Sequence, residues 1–284
     1  MKRIPFGRVY AHCVTSAEAL EQVKHLIAKG EGGYVVTPNV DHVVQAEHSD
    51  ALVAAYDMAD LSLVDGQPLL WLSRLMNDPL PEKISGSDFV PLLIEKAARE
   101  GWRVFFLGAQ EGVGAEVGRV MCAKYPDLQI VGIESPAFGF EQDPQQCERI
   151  VQKAAEARAD IIVVALGCPK QELLMHRWKT ALAPAIAIGS GAALDFIAGN
   201  VRRAPAWMSR SGLEWLYRLA QQPRTLAHRY LVRDRQIFAI AWRTWLASRR
   251  AARLSLVVGV EAPDPGPESA PDPHADSNPA AKVA

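Results

Sequence analysis

Short apolar runs alternate with amphipathic stretches over residues 1 to about 200. The runs at 33–36 and 61–64, "WRVFFLG" ending at Gly108, "LQIVGIE", "IIVVALG" and "AIAIGSG" are rich in β-branched residues and lack polar interleaving. Such runs are strands buried on both faces. Helices separate them. The capping box Thr15-Ser16-Ala17-Glu18 opens one that ends near Gly30, and Ser85-Gly86-Ser87-Asp88 opens one to Glu100. Further helices are expected up to Tyr125, over 144–157 and from Lys170. The pattern predicts an α/β fold, Rossmann-like and doubly wound, with a mainly parallel sheet and a C-terminal helical appendage.

Beyond Gly199 the strands stop. Two helical stretches are expected at about 212–221 and 225–254, broken at Pro223. From Glu261 the chain is rich in Pro, acid and Ala without an aromatic residue, so it is expected to be disordered. The organisation read is an α/β catalytic domain over 1–200, a basic amphipathic appendage over 201–253, and a tail over 254–284.

Charge changes this picture more than bulk composition does. The formal net charge is −1, yet twelve Arg, no Lys and two acids lie between Arg202 and Arg253. That local balance of +10 leaves −11 for the rest. Four of the seven Trp (Trp207, Trp215, Trp242 and Trp245) share the segment. A basic, aromatic-rich block on an acidic body faces something anionic. Interleaved Trp, Leu and Ile fit an anionic membrane surface better than nucleic acid. The four Cys are scattered, which speaks against a disulfide framework or structural zinc and fits a reducing cytosol. The N-terminus lacks an apolar core of signal-peptide length, and no stretch has the apolar length to span a bilayer.

Ligands of parallel sheets bind at the carboxyl ends of strands, and five such ends carry candidate chemistry. In "YVVTPNVDHVV" the residues Thr37 and Asn39 stand where a buried strand passes into a helix, as pocket groups or as helix caps. In "LSLVDGQPLLWL" Asp65 follows a wholly apolar strand. A carboxylate at that low-dielectric edge tends towards a raised pKa, which suits a general base, while the alternative is an N-cap on the next helix. In "FLGAQEGVG" the spacing of Gly108, Gly112 and Gly114 is GxxxGxG, not a dinucleotide fingerprint. It marks a tight turn or a backbone approach to phosphate. In "ALGCPKQE" Gly167 and Pro169 bend the chain ahead of Gln171, which can bind a sugar or base edge or merely decorate a helix start. In "AIGSGAALDFIAG" Gly189 and Gly191 open a helix with Asp195 one turn in, facing a ligand hydroxyl or the helix dipole.

Together, "TPNVDHVV", "DGQPLLW", "SGSDF", "FLGA", "ALGCPKQE", "GSGAALDFIAGNVRRAPAW" and "GLEWLYRLAQQPRTLAHRY" resemble, in order and spacing, the WecG/TagA/CpsF glycosyltransferases. The resemblance implies a metal-independent inverting transferase without a cofactor. Such an enzyme moves an N-acetylhexosamine-type or related sugar from a UDP-sugar to a polyprenyl-diphosphate-linked sugar at the cytoplasmic membrane face. The family's proposed base falls on Asp65, its Thr-x-Asn pair on Thr37 and Asn39, and its loop Gln on Gln171. Where the family generally carries Arg ahead of its Ser-Gly-Ser-Asp loop, this chain has Lys83, which keeps the charge but loses the planar fork. The "RAP" and "PxR…RY" segments point to Arg203, Arg224 and Arg229 as diphosphate contacts. The chain contains no Asp-x-Asp, so neutralising a leaving diphosphate falls to Arg, Lys or helix N-termini. A nucleotide-dependent oxidoreductase using the Gly108 loop and a non-catalytic module for anionic surfaces stand as alternatives, and a homo-oligomer is left open.

Overall fold

A computed structural model of the chain describes residues 1–258. Strands β1 (Arg3–Phe6) and β2 (Val9–His12) form an antiparallel hairpin, followed by α1 (Ser16–Lys29), β3 (Gly33–Val36), α2 (Val40–Ala46) and α3 (Asp50–Asp57). Then come β4 (Leu61–Ser62), α4 (Gln67–Leu75), α5 (Gly86–Glu100), β5 (Arg103–Gly108), α6 (Val113–Lys124) and β6 (Gln129–Glu134). The body closes with α7 (Pro144–Glu156), β7 (Ile161–Ala165), α8 (Lys170–Leu182), β8 (Ile186–Gly189) and α9 (Ala193–Ile197). Six strands pair in parallel in the order β4-β3-β8-β7-β5-β6, as the apolar runs predict.

Alternate residues of each strand feed two separate cores. Tyr34, Val36, Phe105, Leu107, Ile162 and Val164 face one helical layer. Val35, Leu61, Val104, Phe106, Val163 and Ile188 face the other. Period-two alternation with apolar residues at every position leaves no polar face, so helices must cover both sides. Each fully buried large side chain contributes about 1.5–3 kcal/mol. Gly108 belongs to this packing, because at φ +100° a Cβ there would lie 2.5 Å from the Ala165 carbonyl oxygen.

The β1–β2 hairpin has no counterpart in the sequence reading. It covers the edge of β4, where Ser62 donates its backbone N–H to His12 Nδ1 (2.9 Å) and its hydroxyl to the Tyr10 carbonyl (2.6 Å). An exposed sheet edge is thereby paired off. Strand β4 is assigned only two residues, but Leu63 still donates to the Val36 carbonyl at 2.8 Å, so the pairing runs on towards Asp65.

After α9 the chain forms α10 (Ala206–Arg210), α11 (Glu214–Gln221) and α12 (Pro223–His228). A π turn (Arg229–Arg233) and a 3-10 turn (Asp234–Gln236) then lead into α13 (Ile237–Val258). Pro223 opens a helix instead of breaking one, because its missing N–H falls in the first turn, where no partner is needed. The stripe through Leu226, Tyr230, Arg233, Ile237, Ile240 and Trp245 turns inward, with Leu226 buried and Ile240 packed into the core of the body. Thr244 beside them accepts the Gly7 N–H at 3.1 Å. The outward face carries Trp207, Trp215, Leu216, Leu231, Val232, Phe238 and Trp242, all exposed. Of the disordered tail expected over 254–284, residues 254–258 are instead helical, as α13 runs to Val258, and from residue 259 on it lies outside the described residues. Among the described residues, no helix is long and apolar enough to cross a membrane.

Candidate active site at the ends of β3 and β4

Strands β3 and β4 are parallel neighbours, with Val36 opposite Ser62, so the turns that follow them sit side by side. Asp65 donates its backbone N–H to the Pro38 carbonyl at 2.8 Å, which staples the two turns together. Ile84 donates to the Val64 carbonyl at 2.8 Å and brings Lys83 alongside. Thr37 is buried and donates its hydroxyl to the Gly189 carbonyl (3.2 Å), tying in the end of β8. Gly86 lets α5 approach the same place, since a Cβ there would sit 2.6 Å from the Ser190 carbonyl oxygen.

Asp65 does not cap a helix. The residue before α4 is Gly66, at φ 101°, and no side chain caps that terminus. The carboxylate instead lines the cleft, partly reached by solvent yet enclosed by protein. Burial pushes its pKa up to about 6, the Lys83 cation opposes the rise, Glu214 adds to it, Arg218 opposes it and Asp88 adds to it. Lys83 is shared by two other carboxylates, at 3.3 Å from Asp88 Oδ2 and 3.3 Å from Glu214 Oε2. A carboxylate with a pKa about 6 in a cleft is ionised at neutral pH and still basic enough to accept a proton.

A second polar centre lies behind the first turn. Asn39 caps α2 by accepting the His42 N–H (3.3 Å) and also accepts from Arg229 Nη2 at 3.4 Å, so its cap role and a site role coexist. Buried Asp41 pairs with Arg233 and with Arg229 Nε at 3.3 Å. Asp234 faces these arginines, and burial followed by the Asp41 charge pushes its pKa up to about 6. His42 holds Tyr56 Oη at 2.6 Å, and burial together with Arg229 and Arg233 pushes its pKa down to about 3.

Gln171 is buried rather than displayed at the mouth of the sheet. It donates to Glu172 Oε1 at 2.7 Å and leaves its own carbonyl oxygen without a partner. Gly189 makes room for it, since a Cβ there would meet Gln171 Nε2 at 3.0 Å. Burial pushes the Glu172 pKa up to about 7. His42, Cys168 and Glu172 offer ligand atoms within 4.8 Å of one another, the one such metal-type group among the described residues. Each is already engaged: His42 with Tyr56, Glu172 with Gln171, and Cys168 with Gln45 Nε2 at 3.6 Å. Burial also holds the Cys168 thiol well above its ordinary pKa, so it is no ready thiolate ligand.

The remaining candidates divide. Gly167 (φ +76°) and Gly191 (φ +55°) face open space at the ends of β7 and β8. Asp195 is half-buried on α9, with a pKa raised by burial against the opposing Asn200 side chain and Arg218. Arg203 reaches Asp88 and Ser87 and lies over the Phe196 ring, as does Arg218. Arg224 is exposed on α12, outside these ion pairs, so among the three expected arginines only Arg203 and Arg229 join the cleft. Sequence reading missed Asp88, Glu214, Arg218 and Tyr230 as neighbours of Asp65. Charged residues in "SGSDF" and "GLEWLYRL" were the available signal.

The family model for the "Glycosyl transferase WecG/TagA/CpsF family" matches residues 4–251. The chain is 33% identical over 211 residues to an N-acetylglucosaminyldiphosphoundecaprenol N-acetyl-beta-D-mannosaminyltransferase of Bacillus spizizenii, covering 73% of this chain and 80% of the relative. It is 32% identical over 200 residues to the protein of the same description from Bacillus subtilis, covering 70% of this chain and 76% of the relative.

Proposed function

Because this chain belongs to the WecG/TagA/CpsF family of glycosyltransferases, we propose that it uses a UDP-sugar donor and inverts the anomeric centre without a metal. The donated sugar is of N-acetylhexosamine, hexose or uronic acid type. The acceptor is a polyprenyl-diphosphate-linked sugar of cell-surface polysaccharide synthesis, in keeping with the undecaprenol-linked acceptors named for the two relatives. The observation that carries the reading is Asp65, a carboxylate with a pKa about 6 at the end of β4, beside Lys83 and Arg218.

In this reading Asp65 takes the proton of an acceptor hydroxyl. The freed oxygen attacks the anomeric carbon from the face opposite the nucleotide, and the sugar–phosphate bond breaks with its electron pair leaving on UDP. Lys83, Arg203, Arg218 and Arg229 are the cations available to that diphosphate, at present held by Asp88, Glu214 and Asp41 or laid over Phe196. A diphosphate carries more charge than any one of these carboxylates, so exchange onto it is favourable. The exposed Trp207, Phe238 and Trp242 and the surrounding arginines serve the lipid-linked acceptor by holding the enzyme on the inner membrane face. Each basic residue near an anionic leaflet adds about 1 kcal/mol.

The test is a panel of UDP-sugars with a short-chain polyprenyl-diphosphate N-acetylglucosamine, with the product's anomeric configuration read by NMR. Transfer with inversion is expected. Retained configuration, or binding of NAD but not UDP, would overturn the reading.

A further inference from the structure

Glu214 is the only acid within α10–α12, on a segment otherwise charged by arginines. It does not point to solvent among them. Its Oε2 accepts from Ser209 Oγ at 2.7 Å and from Lys83 Nζ at 3.3 Å, with only a quarter of its side chain exposed. Lys83 also pairs with Asp88 of α5, again at 3.3 Å, so it stands between a carboxylate of the body and one of the appendage. Burial works against the Lys83 cation, yet Asp88 and Glu214 hold its pKa above the ordinary value.

From this geometry we infer that Glu214 is a positioning residue for the reaction: by drawing Lys83 away from Asp65 and neutralising it, the docked appendage sets the proton affinity of the base. The inference rests on Asp65 being that base. Lys83 stands next to Asp65 through the Ile84–Val64 hydrogen bond, so an unneutralised ammonium there stabilises the ionised carboxylate and weakens it as a proton acceptor. Two carboxylates on Lys83 oppose that effect, Glu214 more than Asp88. One of them, Asp88, belongs to the body and is itself shared with Arg203. The other arrives only when α11 packs over the cleft. The groups that face Asp65 are Lys83 from its loop, Asp88 from α5, Arg218 and Glu214 from α11, Tyr230 from the π turn and Tyr56 from α3. Of the two carboxylates, Glu214 is the one carried by the appendage, so it links packing of α11 to chemistry.

The signs are fixed. Removing the Glu214 charge deletes a contribution that raises the Asp65 pKa and leaves Lys83 less neutralised, and both changes lower it. E214Q should therefore move the acid limb of kcat/KM to lower pH by about half a unit or more. The plateau kcat should fall about two- to fivefold as the base weakens. E214D and S209A both disturb packing but keep the charge, and their limbs should stay with the parent. Titration of the Asp65 carboxyl by 13C NMR reads the same shift in each folded variant without turnover.

If Glu214 merely anchors α11 through Ser209, then E214Q and S209A behave alike, both losing kcat with an unmoved limb, and the inference is wrong. Failure of the underlying reading looks different. In that case D65N keeps its turnover, or the parent limb survives in D65N.

Discussion

In the α/β body, cohesion comes from strands whose two faces are apolar, and Tyr34, Phe89, Phe105 and Phe106 are wholly buried. Residues 201–249 are built differently. Among their described side chains, Leu226 and Ile240 are the large apolar groups that are buried, and each keeps a few per cent of its surface in solvent. The segment is joined to the body by charge: Arg229 and Arg233 on Asp41, Arg203 on Asp88, Lys83 on Glu214 and Arg243 on Glu47. Apolar burial is not screened by salt, whereas partly exposed ion pairs are. The difference in cohesion makes the joint between the two regions the salt-sensitive part of the molecule, and docking of the appendage on the body the step to test.

Deleting residues 201–284 is the most severe way to test that contrast. Turnover and liposome binding should both fall to background while circular dichroism and cooperative unfolding of the body persist. Removing only 261–284 should affect neither. A folded truncation that still transfers sugar to a lipid-linked acceptor would break the comparison.

Asp65→Asn separates chemistry from docking. Turnover should fall by on the order of 10²–10⁴-fold with UDP affinity retained. In the parent, kcat/KM should decline as pH drops through about 6, where Asp65 takes up its proton. Near-normal turnover in D65N would return Asp65 to a structural role.

Asp41→Asn strikes the joint itself. It leaves Arg229 and Arg233 without their shared carboxylate and should cost about 2–3 kcal/mol, less than a fully buried pair because Arg233 is partly exposed. The cost should appear as faster proteolysis within 201–236 and a stronger loss of activity with added salt, the body's unfolding midpoint staying put. Equal destabilisation of both regions would show that they form one cooperative unit.

Asp65 also makes a smaller, opposite prediction for stability. Its folded pKa of about 6 lies above the unfolded value of 3.8, so the folded state binds its proton more tightly. The contribution is present below pH 3.8 and is lost as pH rises through about 6. D65N should therefore melt a few degrees higher than the parent at pH 7.5, with the gain shrinking towards pH 5. Finally, excess EDTA should leave turnover unchanged. Loss of activity in chelator, restored by added Mg²⁺ or Mn²⁺, would place the diphosphate on a metal rather than on the arginines.

Much of this protein is written in local pattern. The six strands, the Thr15 capping box and the α5 start at Ser85 were legible because periodicity and caps depend on near neighbours. Asp65 was legible too, since a wholly apolar run ending in Asp-Gly announces a carboxylate at a dry edge. Other features depended on partners far apart in the chain. Arg233 meets Asp41 across 192 positions and Lys83 meets Glu214 across 131, and no spacing rule links them. Tertiary packing also turned the Leu226–Ile240 stripe inward and buried Gln171 beneath Gly189. Sequence by itself determines which residues must leave water. The fold decides which charges they find there, because electrostatic partners are set by distance in space and not by distance along the chain.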